Sequence, residues 1–284
     1  MMIESSQPPF CQTDVVCSTV LEVNRIYNES NLDTMKRMPD NFVDLTVTSP
    51  PYDGLRDYNG YSFPFEEIAK ELYRVTKEGG VVVWVVGDST IKGSESLTSF
   101  KQAIYFVESC GFNLHDTMIY EKAGMSMPSS NRYHQVMEYM FVFSKGKPKT
   151  FNPLKDRKNR WTSSFGNSST RQKNGELEKK GKIEFDDYGM RFNIWRYANG
   201  AGFGQKDEAA YGHPATFPEY LCGDHINSWS NEGDLVYDCF MGSGTTAKIS
   251  HTLNRNWIGS EISEIYVELA NKRLAPYLAQ TSLF

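Results

Sequence analysis

Six consecutive apolar residues, Val81-Val82-Val83-Trp84-Val85-Val86, constrain the fold more than any other stretch of the chain. Side chains along a strand point alternately to opposite faces, so an unbroken apolar run needs cover on both faces of its sheet. Central strands of a parallel sheet flanked by helices meet that demand, and the neighbouring segments fit it. Val23 to Tyr27, Val43 to Thr48, Leu114 to Tyr120, Glu138 to Ser144, Leu235 to Tyr237 and Trp257 to Ser260 read as further strands. Between them, Asn31 to Arg37, Phe65 to Thr76, Ser99 to Cys110, Pro218 to Ser228, Thr245 to Leu253 and Ser263 to Leu274 have helical periodicity. Glu78-Gly79-Gly80 reads as the stop of the second helix.

The chain has 284 residues, enough for one α/β domain with an elaboration. Its formal net charge of -5 argues against a uniformly basic nucleic-acid coat protein. Five cysteines, an odd count without metal-ligand spacing, argue for a reduced compartment and against a metal site. Met1 to Phe10 lacks the features of a signal peptide, and no apolar run is long enough to span a bilayer. A cytoplasmic protein without membrane attachment is the expectation.

Composition divides the chain into an N-terminal arm (1–22), a first half of the domain (23–150), an insertion (151–212) and a second half (213–284). From Phe151 to Gly200 the net charge is roughly +5 by count, with Trp161, Phe165, Tyr188, Phe192, Trp195 and Tyr197 interleaved. Basic residues with aromatics read as an insertion with its own job, against the alternative of a solvated, partly disordered loop; should that job be target recognition, its basic side chains would meet phosphates. Lys155 and Arg157, which open the charged run, are candidate phosphate contacts, and Arg191 and Arg196, which flank Phe192 and Trp195, are candidate base readers.

Two loops follow apolar strands and carry the chemistry. In Asp238-Cys239-Phe240-Met241-Gly242-Ser243-Gly244-Thr245-Thr246, glycines permit a tight turn against a ligand and the next helix offers unpaired N–H groups. Glu261 ends the following strand, about twenty residues on, where a carboxylate can accept from ribose hydroxyls. The third glycine of the dinucleotide fingerprint is absent, and no Walker lysine follows. A cofactor with a ribose and no obligatory pyrophosphate fits, and S-adenosylmethionine is the candidate. In Thr48-Ser49-Pro50-Pro51-Tyr52, two prolines fix two φ angles and remove two N–H groups. Ser49 and the Pro50 carbonyl become a rigid acceptor site, with the Tyr52 ring available to stack on a planar base.

Thr48 to Tyr52, Asp238 to Thr246, Glu261, His213-Pro214-Ala215-Thr216-Phe217-Pro218 and the strand His134 to Lys145 together resemble the amino-directed DNA methyltransferases of the β class. The resemblance extends from Val23 to Leu274. It implies a doubly wound, mostly parallel seven-stranded Rossmann-like sheet with one reversed strand, circularly permuted so that the catalytic loop precedes the cofactor loop. It also implies S-adenosyl-L-methionine as methyl donor, double-stranded DNA as substrate and residues 151–212 as the target-recognition region. In that family Gly242 and Gly244 shape the cofactor loop, flanked here by Phe240 and Thr245. Asp238 lies near the methionine moiety, Glu261 binds the ribose, and Thr216 and Phe217 border the methionine end. Ser30 stands where the family often has an Asp near the adenine.

The catalytic tetrapeptide would be Ser49, Pro50, Pro51 and Tyr52. None of the five cysteines follows a proline, which disfavours the carbon-5 cytosine branch. A Ser at the first position resembles enzymes of the cytosine 4-amino group, whereas Asp or Asn is typical for the adenine 6-amino group. RNA or protein methyltransferases and a non-catalytic DNA-binding module are the rival classes. A companion restriction endonuclease and a homodimer are partners the resemblance leaves open.

Overall fold

The computed structural model describes residues 21–51, 63–124, 130–160, 169–179, 186–198 and 218–279. Tyr52, Thr216, Phe217, Trp161, Phe165 and nearly all of the N-terminal arm lie outside the described residues. Strands β1 (Arg25–Tyr27), β2 (Val43–Thr48), β3 (Thr76–Val86), β4 (Asn113–Lys122), β5 (Met137–Ser144), β6 (Ile194–Tyr197), β7 (Leu235–Asp238) and β8 (Asn256–Ser260) form one sheet. Its order is β1-β8-β7-β2-β3-β5-β4-β6. Only β5 runs against the rest, pairing antiparallel with both β3 and β4. Among the described residues the sheet has eight strands, the expected seven and one more. The additional one, β6, comes from within the insertion and pairs in parallel with the edge strand β4.

Helices α1 (Asn31–Arg37), α2 (Phe65–Val75) and α3 (Thr98–Tyr105) cover one face, and α4 (Glu219–Trp229), α5 (Thr245–Thr252) and α6 (Glu264–Leu278) the other. The run in β3 explains why both faces need cover. Val82, Trp84 and Val86 pack with Met35, Ile68, Leu72 and Phe106. Val81, Val83 and Val85 pack with Leu221, Ile226 and Trp229. All six strand residues are 0–1% exposed, so each contributes about 1.5–3 kcal/mol of burial. No helix among the described residues is long and apolar enough to cross a membrane.

Gly79-Gly80 does not stop α2. The helix ends at Val75, whose successor Thr76 is already extended, and the register with β2 jumps from Val43–Thr76 to Leu45–Val81. The glycines lie in the resulting bulge. A Cβ on Gly79, which has φ +78°, would stand 2.8 Å from the Lys149 Cβ, so this turn requires glycine on two grounds.

Trp195 of β6 is buried at 6% exposure and packs against His225 of α4, the two rings tilted with centroids 4.6 Å apart. His225 is itself fully buried beside the Met140 Sδ at 3.2 Å, and burial pushes its imidazole down to about 3. A depressed folded pKa contributes stability above the unfolded value near 6.5 that is lost as pH falls toward the folded value. Between pH 7 and pH 5 this group should remove about 2 kcal/mol of stability. Urea unfolding of the parent and of His225→Leu at both pH values checks it. The difference between the two slopes isolates the histidine, and equal slopes would show that it does not stay neutral.

Candidate active site

The two loops leave adjacent strands at the carboxyl edge of the sheet. β2 and β7 pair directly, Leu45 beside Val236 and Thr46 beside Tyr237. From β2 the chain passes through α2 to β3 on one side, and from β7 through α5 to β8 on the other. Their boundary is the topological switch point, where diverging loops leave a crevice for a ligand.

A buried carboxylate joins the loops. Asp238 Oδ1 accepts from Thr48 Oγ1 at 2.7 Å and from the Phe240 N–H at 3.0 Å, and Oδ2 accepts from Thr246 Oγ1 at 2.6 Å. Burial pushes the Asp238 carboxyl above its ordinary range, and these three donors oppose the shift. Ser49 and Pro50 follow Thr48 directly, so this bond fixes where the acceptor loop starts relative to the glycine loop. Ser49 is partly exposed and Pro50 is buried.

The glycine loop is held from several sides. Gly244 caps α5 at φ +81°, and a Cβ there would stand 2.9 Å from the Ala270 Cβ. Glu261 Oε2 accepts from the Gly242 N–H and Oε1 from the Ser263 N–H, both at 2.9 Å. Burial pushes the Glu261 carboxyl up, and those backbone bonds pull it back. Each oxygen keeps acceptor capacity, so the residue fits a ribose contact while also shaping the loop. Asn31 Nδ2 donates to the Cys239 carbonyl at 3.1 Å, and Asn28 Nδ2 to the Glu261 carbonyl at 3.0 Å. Phe240 meets Phe63 edge-on at 5.6 Å and Trp84 at 6.2 Å, forming an apolar wall.

Ser30 caps α1, its Oγ accepting from the Leu32 N–H at 3.3 Å. Thr245 Oγ1 accepts from Arg273 Nη1 at 3.0 Å. Sequence reasoning overlooked Thr48, Asn28, Asn31 and Thr246 as site residues. Thr48 and Thr246 sit inside the quoted motifs, but which carboxylate they bond depends on the pairing of β2 with β7.

In the insertion, Arg157 and Lys158 pair with Tyr188-Gly189, and residues 169–179 form an exposed hairpin. Arg191, one of the two candidate base readers, is held by several partners. Its guanidinium is bonded to Asp156, to Asp224 of α4 at 2.6 Å and to the Tyr197 hydroxyl at 2.9 Å, and lies over the Trp195 ring. It fastens the insertion to the domain, as does buried Trp195. Arg157 lies over the Phe192 ring at 4.6 Å. Lys155 and Arg196 are exposed, 3.7 Å from Asp186 and 3.6 Å from Glu121.

An open α/β sheet with a glycine loop and a proline-fixed acceptor loop at its switch point defines a doubly wound α/β protein with a crevice suited to a nucleotide-like cofactor. The N6_N4_Mtase family profile, described as DNA methylase, matches residues 43–272, and the chain belongs to that family. It is an S-adenosyl-L-methionine-dependent DNA methyltransferase of the amino-directed β class. The chain is 61% identical over 239 residues to the orphan methyltransferase M.BamHII of Bacillus amyloliquefaciens, covering 83% of this chain and 90% of the relative. It is 27% identical to the Type II methyltransferase M.BglII of Bacillus subtilis, covering 89% and 69%. Among solved structures, the PvuII DNA methyltransferase (cytosine-N4-specific) superposes with TM-score 0.63 at 20% identity, covering 91% of this chain and 87% of that one. The protein TTHA0409 of Thermus thermophilus, complexed with S-adenosyl-L-methionine, gives 0.61 at 21% identity, covering 91% and 96%.

Proposed function

We propose that the chain methylates the exocyclic 4-amino group of cytosine at a specific site in double-stranded DNA. The observation that carries the reading is the Thr48–Asp238 hydrogen bond, which ties the start of the Ser49-Pro50 loop to the glycine loop at 2.7 Å. An exocyclic amine is a poor nucleophile because its lone pair is delocalised into the ring. Ser49 Oγ and the Pro50 carbonyl accept its N–H bonds and favour a pyramidal nitrogen with a directed lone pair. S-adenosyl-L-methionine supplies an electrophilic methyl group on a sulfonium. Gly242, Gly244, Asp238, Phe240 and Glu261 would hold that cofactor, the family resemblance assigns Thr216 and Phe217 to its methionine end, and the Tyr52 ring would stack on a base turned out of the duplex.

Ser49 at the first motif position favours cytosine. The insertion 151–212 serves as target-recognition region, with Lys155 and Arg157 on phosphates and Arg196 toward the bases. The relative named an orphan methyltransferase supports action without a companion nuclease. The test is transfer of tritium from labelled cofactor to DNA, followed by hydrolysis and chromatography of the bases. Label in N4-methylcytosine is expected. Label in N6-methyladenine would overturn the base assignment while leaving the acceptor chemistry in place, and label in RNA or protein alone would overturn the substrate class.

A further inference from the structure

Behind the glycine loop lies a charge cluster that the chemistry above does not use. The Arg273 side chain on α6 has 0% exposure, Lys248 on α5 has 7% and Glu219 on α4 has 15%. Glu219 Oε1 receives Arg273 Nη2 at 2.6 Å and Lys248 Nζ at 2.8 Å. Stability alone gives little reason to keep such a group, because apolar residues of similar volume commonly serve a core as well as a buried ion pair or better. The contacts of the other guanidinium nitrogen give one. Nη1 donates to the Ser243 carbonyl at 2.9 Å, to Thr245 Oγ1 at 3.0 Å and to Ser243 Oγ at 3.3 Å.

Ser243 lies between two glycines in the left-handed region, Gly242 at φ +51° and Gly244 at φ +81°. Glycines in that region permit the turn without holding it, since they also populate other conformations readily. A buried cation bonded to the carbonyl between them selects one orientation of the intervening peptide. Three elements meet at that point: α6 supplies the guanidinium, α4 the counter-charge, and α5 starts from the loop.

We propose that Arg273, anchored by Glu219, is a positioning residue that pre-forms the Gly242-Ser243-Gly244 loop for S-adenosyl-L-methionine. This rests on the reading of that loop as the cofactor site. Removing the guanidinium lets the loop sample other shapes, so part of the binding energy goes to re-ordering it.

The experiment compares full-length parent, Arg273→Met, Arg273→Lys and Glu219→Gln by calorimetry with S-adenosyl-L-methionine, KM for DNA, and hydrogen exchange of the 241–246 amides. Arg273→Met should raise the cofactor Kd by about tenfold or more, the scale of one lost charge-assisted bond, with KM for DNA within about twofold. Its loop amides should exchange faster than the parent's without cofactor, while those of β3 do not. Arg273→Lys, which can reach the Ser243 carbonyl or Glu219 but not hold both, should recover part of the affinity, and Glu219→Gln should fall between parent and Arg273→Met. Should Arg273→Met fail to fold, the Lys and Gln variants carry the same comparison. A folded variant set with unchanged Kd and unchanged loop exchange would overturn the proposal. Lack of cofactor protection of the loop amides in the parent would overturn the loop assignment, and the proposal with it.

Discussion

Ser49→Ala is expected to lower kcat by about 100- to 1,000-fold, the usual cost of removing one preorganised partner of a transition-state group. Its affinity for S-adenosyl-L-methionine should stay within about twofold of the parent. The split follows from the construction of the loop. Thr48, not Ser49, makes the bond to Asp238, so that link to the glycine loop does not depend on the Ser49 hydroxyl. Two prolines keep the backbone in place after the change. Single-turnover kinetics separate the chemical step from binding and product release. A variant with normal single-turnover rate would remove Ser49 from the acceptor site, and one that loses cofactor affinity instead would move it into the cofactor site.

The second large effect belongs to Asp238. Asp238→Ala should destabilise the protein by roughly 3–5 kcal/mol and abolish measurable cofactor binding, because Thr48 Oγ1, Thr246 Oγ1 and the Phe240 N–H all lose their acceptor in a buried place. Asp238→Asn separates charge from geometry. The amide oxygen replaces one carboxylate oxygen, and a threonine hydroxyl can rotate to accept from the amide nitrogen. That variant should lose only about 1–2 kcal/mol and retain weakened binding. Urea denaturation and calorimetry measure both quantities. Equal losses in the two variants would mean that the charge matters and the pattern of bonds does not.

Much of the fold was legible because its strongest signals are local. The Val81 to Val86 run declares a strand covered on both faces without knowledge of its partners, and the apolar residues of α2 recur at a period only a helix satisfies. Both motif loops were legible for the same reason, since prolines and glycines act on their own φ angles. Sequence reasoning stumbled where one residue serves two geometries. Gly79-Gly80 suits a helix stop and a strand bulge equally, and the register of β2 against β3 decides between them. Arg191, Trp195 and Tyr197 look like a nucleic-acid surface in a basic segment. Their role turns on Asp224 and His225, about thirty residues away, and on the pairing of β6 with β4. The links that make a site of two loops, Thr48 to Asp238 and Arg273 to Ser243, cross long stretches of chain and leave no periodic trace.

The strand order also dictates a schedule for the growing chain. β2 is complete when Thr48 has been made, but the neighbour on its open side, β7, starts only at Leu235. At about 5–20 residues per second on the ribosome, that interval lasts roughly 10–40 seconds. Throughout it the nascent chain carries the open edge of β2 with unpaired backbone groups, the kind of surface that recruits other strands. β1, made earlier still, waits for β8 in the same way. The order that brings the acceptor loop off the ribosome before the cofactor loop thus leaves the centre of the sheet open until residues 235–260 have been made, and makes β7 and β8 the step that closes it.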